Sequence, residues 1–218
     1  MSKILTIIFA FLLVAFSGCR HNEESRPFPE GNAIYYWRTV LKLSDAERQF
    51  IERHEIKRIY TRFFDVENKD GKWMPGNTLI FSDRVPEEVE IVPTVFIDSK
   101  ALALDEDVRS LAPLILARVD SMMLKNGYPQ SRELELDFDW APSNRERYFT
   151  LLRQMRDSLS SKGRRLSVTV RLHQLSQAAP PADYGVLMAY NMGNFRNPKE
   201  RNSIISIDVS YTHIKIPT

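Results

Sequence analysis

The chain has 218 residues, 27% of them charged and 43% hydrophobic, and a formal net charge of +2, the balance of an ordinary globular domain. Its lysines and arginines are interleaved with acidic residues, and Arg164-Arg165 has neither a longer basic run nor a companion aromatic platform, which excludes nucleic acid as a partner. Cys19 is the only cysteine.

At the start of the chain, Lys3 precedes an apolar run over residues 4–16, followed by Ser17-Gly18-Cys19. The run has the length of a signal-peptide core and is shorter than the roughly 20 residues of a membrane span. Val14, Ala15, Ser17 and Gly18 resemble the approach to a bacterial lipoprotein cysteine, with Phe16 departing from the preferred leucine. Residues 1–19 are therefore expected to be a lipoprotein-type signal, with lipidation at Cys19 placing the exported protein on a membrane of the cell envelope. The other reading is an ordinary cleaved signal with an incidental cysteine. A lipidated Cys19 leaves no thiol for a disulfide, a metal or a nucleophile. Residues 20–31 hold Pro27, Pro29 and Gly31 without apolar periodicity, and form a predicted flexible tether to a domain over residues 32–218.

From residue 33 the pattern alternates strand and helix. Residues 33–38 read as an aromatic strand, and Ser44-x-x-Glu47 is a capping box opening a helix towards His54. A second strand covers residues 57–66, with Arg62 sharing parity with Tyr60 and Phe64, and Asp70-Gly71, Pro75-Gly76 and Asn77 mark a long loop. Residues 90–97 make a third strand, and Val108, Leu111, Ile115, Val119 and Met122 trace the buried stripe of a helix ending near Gly127. The fourth strand is acidic, Glu133-Leu134-Glu135-Leu136-Asp137-Phe138-Asp139-Trp140. Its helix is entered through Pro142 and a box Ser143-x-x-Glu146, buries Phe149, Leu152, Met155 and Leu159, and leaves at Gly163. Residues 166–172 and 184–192 supply the fifth and sixth strands. Residues 203–218 have the pattern of a seventh.

Strands separated by helices pair in parallel with right-handed crossovers, as in a doubly wound sheet or an eight-stranded barrel. Trp37-Arg38-Thr39 stands where a dinucleotide fold places its glycines, which argues against the former. The expected fold is an α/β, (β/α)8 TIM-barrel-like domain, incomplete, with about six recognisable β/α units, since such barrels take about 250 residues. It is either an open partial barrel or a shortened frame.

Alternation in the acidic strand puts four carboxylates on one face, about 7 Å apart, where they repel unless cations, a ligand or raised pKa values compensate. Asp137 and Asp139, nearest the functional C-terminal end of a barrel strand, lead the candidates. On strand five Ser167, Thr169, Arg171 and His173 share a face, so Arg171 is expected beside the acidic strand and His173 near the strand's end as a ligand-binding or wall residue. The same charges equally fit an internal salt-bridge network without catalytic role. Trp37 is a candidate sugar platform, whereas the parity of Trp140 buries it under a helix. Asp137, Asp139 and His173 make no established ligand set, so neither metal nor cofactor is expected.

Asp137-Phe138-Asp139-Trp140 and Met188-Ala189-Tyr190-Asn191-Met192-Gly193 resemble, at matching strands, the Asp-x-x-Asp-x-Asp-x-Glu and Met-x-Tyr-Asp motifs of the family 18 glycoside hydrolases, the chitinase-like barrels. Tyr35-Tyr36-Trp37-Arg38 is similar to strand one of a group of bacterial exported barrels. The resemblance implies that Asp139 orients the substrate's own acetamido nucleophile and that Tyr190 hydrogen-bonds it. It also aligns Ala141 with the catalytic glutamic acid, Leu134 with the first aspartate and Asn191 with an aspartate. Lacking the proton donor, a step that commonly contributes 10²- to 10⁴-fold, the chain is expected to be a catalytically impaired glycoside-hydrolase-like protein. If active, it acts on N-acetylated polysaccharide. The alternative is a non-catalytic carbohydrate-binding or surface interaction module on the same scaffold, using Arg171, His173, Asn191 and Trp37.

Overall fold

The computed structural model describes residues 30–104 and 106–189. The predicted signal and Cys19, Tyr190 and Asn191, and the predicted seventh strand lie outside the described residues. The elements are β1 (Asn32–Tyr36), β2 (Val40–Leu41), α1 (Asp45–Arg53), β3 (Ile56–Lys69), β4 (Lys72–Gly76), β5 (Ile80–Phe81), β6 (Glu90–Ile97), α2 (Ser99–Leu102), a 3-10 turn (Val108–Ser110), α3 (Leu111–Lys125), β7 (Glu133–Asp137), α4 (Arg145–Ser160), β8 (Arg165–Arg171), a second 3-10 turn (Leu172–Gln174) and β9 (Tyr184–Met188). The main sheet runs β1-β3-β6-β7-β8-β9, every neighbouring pair parallel. All six strands therefore end at the same edge. This is the expected incomplete barrel sheet, with helices in the crossovers. No helix among the described residues is long and apolar enough to cross a membrane.

The two faces of the sheet divide by chemistry. Outward-pointing Ile59, Phe64, Ile91, Val95, Leu134, Leu136 and Val168 form one core with Leu111, Ile115 and Val119 of α3 and Phe149, Leu152 and Met155 of α4. Trp140 joins it, fully buried and edge-on to Phe149, as its parity predicts. The inward face carries Arg58, Tyr60, Thr94, Glu133, Glu135, Asp137, Ser167 and Thr169. Alternation along each strand produces the division.

Four local expectations need correction. The predicted loop over residues 70–77 is largely a hairpin, because β4 pairs antiparallel with β3 from Lys69 opposite Lys72 to Asp65 opposite Gly76. Asp70 and Gly71 turn the chain with φ of 53° and 76°, the two left-handed residues of a tight hairpin, and Pro75 is tolerated because β4 is an edge strand. Arg62 and Phe64 do not share a face. Arg62 pairs with Thr94 and Phe64 with Val95, so Phe63 is an extra bulge residue. Phe64 is buried against Arg118 of α3, while Arg62 and Asp65 both point inward. The box predicted at Ser143 and Glu146 does not form. Asn144 is the N-cap of α4 without a side-chain cap, because its Oδ1 turns back to accept the Ala141 amide at 2.8 Å. Finally, β8 ends at Arg171, so His173 belongs to the 3-10 turn rather than to the strand. The Ser44–Glu47 box on α1 is complete.

Candidate functional site

The carboxylates of β7 are partnered one layer at a time. Glu133 accepts from Ser167 Oγ at 2.6 Å, and Arg58 Nη1 lies 3.7 Å away. Above it, Glu135 accepts from Tyr35 Oη at 2.6 Å and from Thr94 Oγ1 at 2.9 Å. Thr94 sits opposite Glu135 in register. Burial pushes Glu135 up to about 8, although both hydroxyl donors pull it down; Asp137 and Glu133 add to the rise. At neutral pH this carboxyl is mostly protonated, which removes one of the like charges from the ladder. Burial and then Glu135 also raise the Tyr35 phenol.

Asp137 ends the strand. Thr169 Oγ1 donates to its Oδ1 at 2.7 Å, Arg171 Nη2 lies 2.7 Å from the same oxygen, and Arg171 Nη1 donates to Thr169. The arginine expected beside the acidic strand thus closes a triangle with it. Asp139 stands beyond the strand with its side chain 60% exposed. His173 Nε2 and Gln174 Nε2 each lie 3.3 Å from its Oδ1. Gln174 also donates to the Trp140 carbonyl at 2.9 Å and accepts the Arg171 amide at 2.8 Å, tying the turn after β8 to the segment after β7.

Trp37 follows β1 at the same edge and is 40% exposed. Its ring lies flat on Tyr35, 5.0 Å between centroids and 8° between planes, and Tyr35 stacks in turn on Tyr60 at 4.9 Å. An exposed indole backed by two inward rings, one of them hydrogen-bonded to Glu135, is a rigid aromatic surface.

Asp137, Asp139, Arg171, His173 and Trp37 therefore all lie at the C-terminal edge of the sheet. Tyr190 and Asn191, predicted for the same edge, lie outside the described residues. Tyr35 and Glu135 were missed as site residues, although Tyr35 shares parity with Trp37 two residues on. Also missed was the pairing of Arg62 with Asp65, whose only signal is a bulge that strand parity does not announce. Among the described residues no three His, Cys, Asp or Glu side chains converge on a metal position.

The arrangement of parallel strands and crossover helices is matched by solved structures. The spore cortex-lytic enzyme SleL of Bacillus cereus superposes with a TM-score of 0.55 at 17% identity, over 84% of this chain and 46% of that one. The fold is that of the chitinase-like barrels. A class V chitinase from Nicotiana tobaccum gives a TM-score of 0.51 at 15% identity, over 75% of this chain and 53% of its own, and a mutant of that enzyme is in complex with NAG4. SleL of Bacillus megaterium gives 0.50 at 15% identity, over 77% and 44%. The chain spans about half the length of these structures. No protein-family model and no curated protein matches it.

Proposed function

We propose that the protein is an exported, lipid-anchored, glycoside-hydrolase-like protein of the cell envelope that binds N-acetylated polysaccharide and is impaired in hydrolysing it. The observation that carries this reading is the open edge of the sheet, where the exposed Asp139, the buried Asp137–Arg171 pair and the ring-backed Trp37 accompany a chitinase-like barrel fold. Apolar sugar faces stack on such an indole, and carboxylates accept sugar hydroxyls. The NAG4 complex of the tobacco enzyme supports an N-acetylated ligand. Lys3, the apolar run after it and Ser17-Gly18-Cys19 support export and lipidation.

The acid required for glycosidic cleavage is the weak point. Ala141 stands at the family's acid position and supplies no proton, and Asp137 is occupied by Thr169 and Arg171. Among the described carboxylates of the ladder, Asp139 is the one open to a leaving oxygen. Binding without efficient turnover is the expected behaviour.

The chain lacking residues 1–19 is titrated calorimetrically with chitotetraose and peptidoglycan fragments, and turnover of both is assayed in parallel. Binding should be measurable, hydrolysis absent, and Trp37→Ala should weaken binding about tenfold, as expected for loss of one stacked ring. No binding to either sugar sinks the sugar-binding reading, and robust hydrolysis that survives both Asp137→Asn and Asp139→Asn places the chemistry elsewhere. An unmodified Cys19 thiol in the intact mass of the membrane-extracted mature chain would remove the lipid anchor.

A further inference from the structure

The bulge at Phe63 turns two residues three apart, Arg62 and Asp65, onto the same inward face. Arg62 Nε and Nη2 then grip Asp65 Oδ1 and Oδ2 at 2.6 and 2.7 Å, and Asn77 Nδ2 donates to Asp65 Oδ2 at 2.6 Å. The carboxylate is buried and held by three donors, while the guanidinium side chain keeps 30% of its surface exposed. Arg62 Cζ lies 4.6 Å from the centroid of the Phe96 ring. Phe96 is flanked in register by Asp65 on one side and Asp137 on the other. The clamp therefore stands across β6 from Asp137, at the same edge.

A guanidinium has five N–H donors in one plane. Two are spent on Asp65, and Arg62 makes no further hydrogen bond among the described residues. The bidentate grip fixes the fork's orientation, and the guanidinium carbon lies against the Phe96 ring, so the remaining donors are preorganised rather than mobile. Bulges recur beside functional sites because they re-aim a side chain. Asp65 also neutralises the charge, so an acceptor is recognised by geometry more than by Coulomb attraction.

We infer that Arg62 and Phe96 form a subsite for a planar, oxygen-bearing substituent of the sugar, an acetamido carbonyl or a carboxylate, with Asp65 as its positioning residue. This rests on the sugar-binding reading above. The substituent's oxygen accepts from the outer N–H groups of Arg62, which the grip of Asp65 and the Phe96 ring hold in place. The site then discriminates acylated from deacylated polymer.

The test compares wild type with Arg62→Lys, which keeps the charge and loses the fork, against three ligands: chitotetraose, its fully deacetylated counterpart, and a muramic-acid-containing disaccharide repeat. The wild-type to variant affinity ratio should be about ten for the two acylated ligands and near one for the deacetylated tetramer. A larger ratio for the muramic ligand than for chitotetraose assigns the subsite to the carboxylate, and equal ratios assign it to the acetamido group. A ratio near one throughout, or one equally large for all three ligands, overturns the proposal. Wild type that binds none of them instead defeats the sugar-binding reading itself. Should Arg62→Lys fail to fold, the Arg62 Nη–H resonances of 15N-labelled wild type decide: a shift on adding chitotetraose and none on adding its deacetylated form is expected, and unmoved resonances at saturation overturn the subsite.

Discussion

At the N-terminal end of β7, Glu133 and Glu135 are closed in by Ser167, Thr94 and Tyr35, whereas beyond its C-terminal end Asp139 keeps most of its surface in solvent. Asp137 lies between, buried but bound to an arginine that itself reaches the edge. Four acidic residues in strict alternation thus occupy three electrostatic environments. What distinguishes them is the partner that faces each: Ser167 with Arg58 nearby for Glu133, the hydroxyls of Tyr35 and Thr94 for Glu135, Thr169 and the rim guanidinium of Arg171 for Asp137, and the turn after β8 for Asp139. Burial holds the Glu135 carboxyl above the ordinary carboxylate range although its two hydroxyl donors act in the opposite direction. The sealed part of the ladder is built into the packed interior, and the open part is where the proposed ligand would dock.

The sharpest way to break this division is pH. Glu135 is raised to about 8 in the fold from an ordinary value of 4.5, so between those values the folded chain holds a proton that the unfolded chain has lost. Its contribution to stability is complete below about pH 4.5 and is lost as pH rises towards 8, by up to about 1.4 kcal/mol per pH unit. Glu135→Gln is neutral in both states and has no such slope. Denaturant midpoints followed from about pH 5 to pH 8 should shift in favour of the variant as pH rises. Parallel curves would mean that Glu135 is charged in the fold and the layer is not sealed.

The next effect belongs to the rim. The Arg171 and Asp137 side chains are 19% and 8% exposed, so Arg171→Met leaves a buried carboxylate that has lost its guanidinium and still accepts from Thr169. A loss of about 3 kcal/mol is expected, with part of it recovered in the double variant Asp137→Asn, Arg171→Met, where no charge is stranded. Urea unfolding of the four members of this cycle measures it. A single-variant loss below about 1 kcal/mol would show that water reaches Asp137 and that the rim extends one layer deeper.

Much of this arrangement is legible in alternation alone. The inward acidic ladder, Arg171 beside it and Trp140 beneath a helix follow from parity, because a strand of regular pleat has no freedom to do otherwise. The register at Phe63 was not legible, since a bulge adds a residue without changing composition, and everything beyond it changes face. That one residue hid the Arg62–Asp65 clamp. Asp70-Gly71 signals the hairpin, but Pro75 argues against a strand there unless that strand is an edge, as β4 is. Ser143 and Glu146 fit the sequence template of a capping box, whereas in the fold Asn144 stands at the N-cap and its side chain is engaged with the Ala141 amide. The partners of Glu135 come from β1 and β6, about 100 and 41 residues away, and no local pattern announces such distant contacts.

The smallest expected effect on stability comes from Asp139. Its side chain is more than half in solvent, and its neighbours, His173 and Gln174, approach only to 3.3 Å. Exposed pairs of this kind contribute between nothing and about 1 kcal/mol, so Asp139→Asn should shift the unfolding free energy by no more than about 0.5 kcal/mol. Affinity for chitotetraose should nevertheless fall several-fold, because the open carboxylate is an acceptor for sugar hydroxyls and the amide replaces one of its two oxygens with a donor. The two measurements together separate the environments that alternation alone equates. A variant that loses more than 1 kcal/mol while binding sugar normally would place Asp139 with the sealed layers, and the ligand-facing end of the ladder would then have to be sought at Arg62 and Trp37 instead.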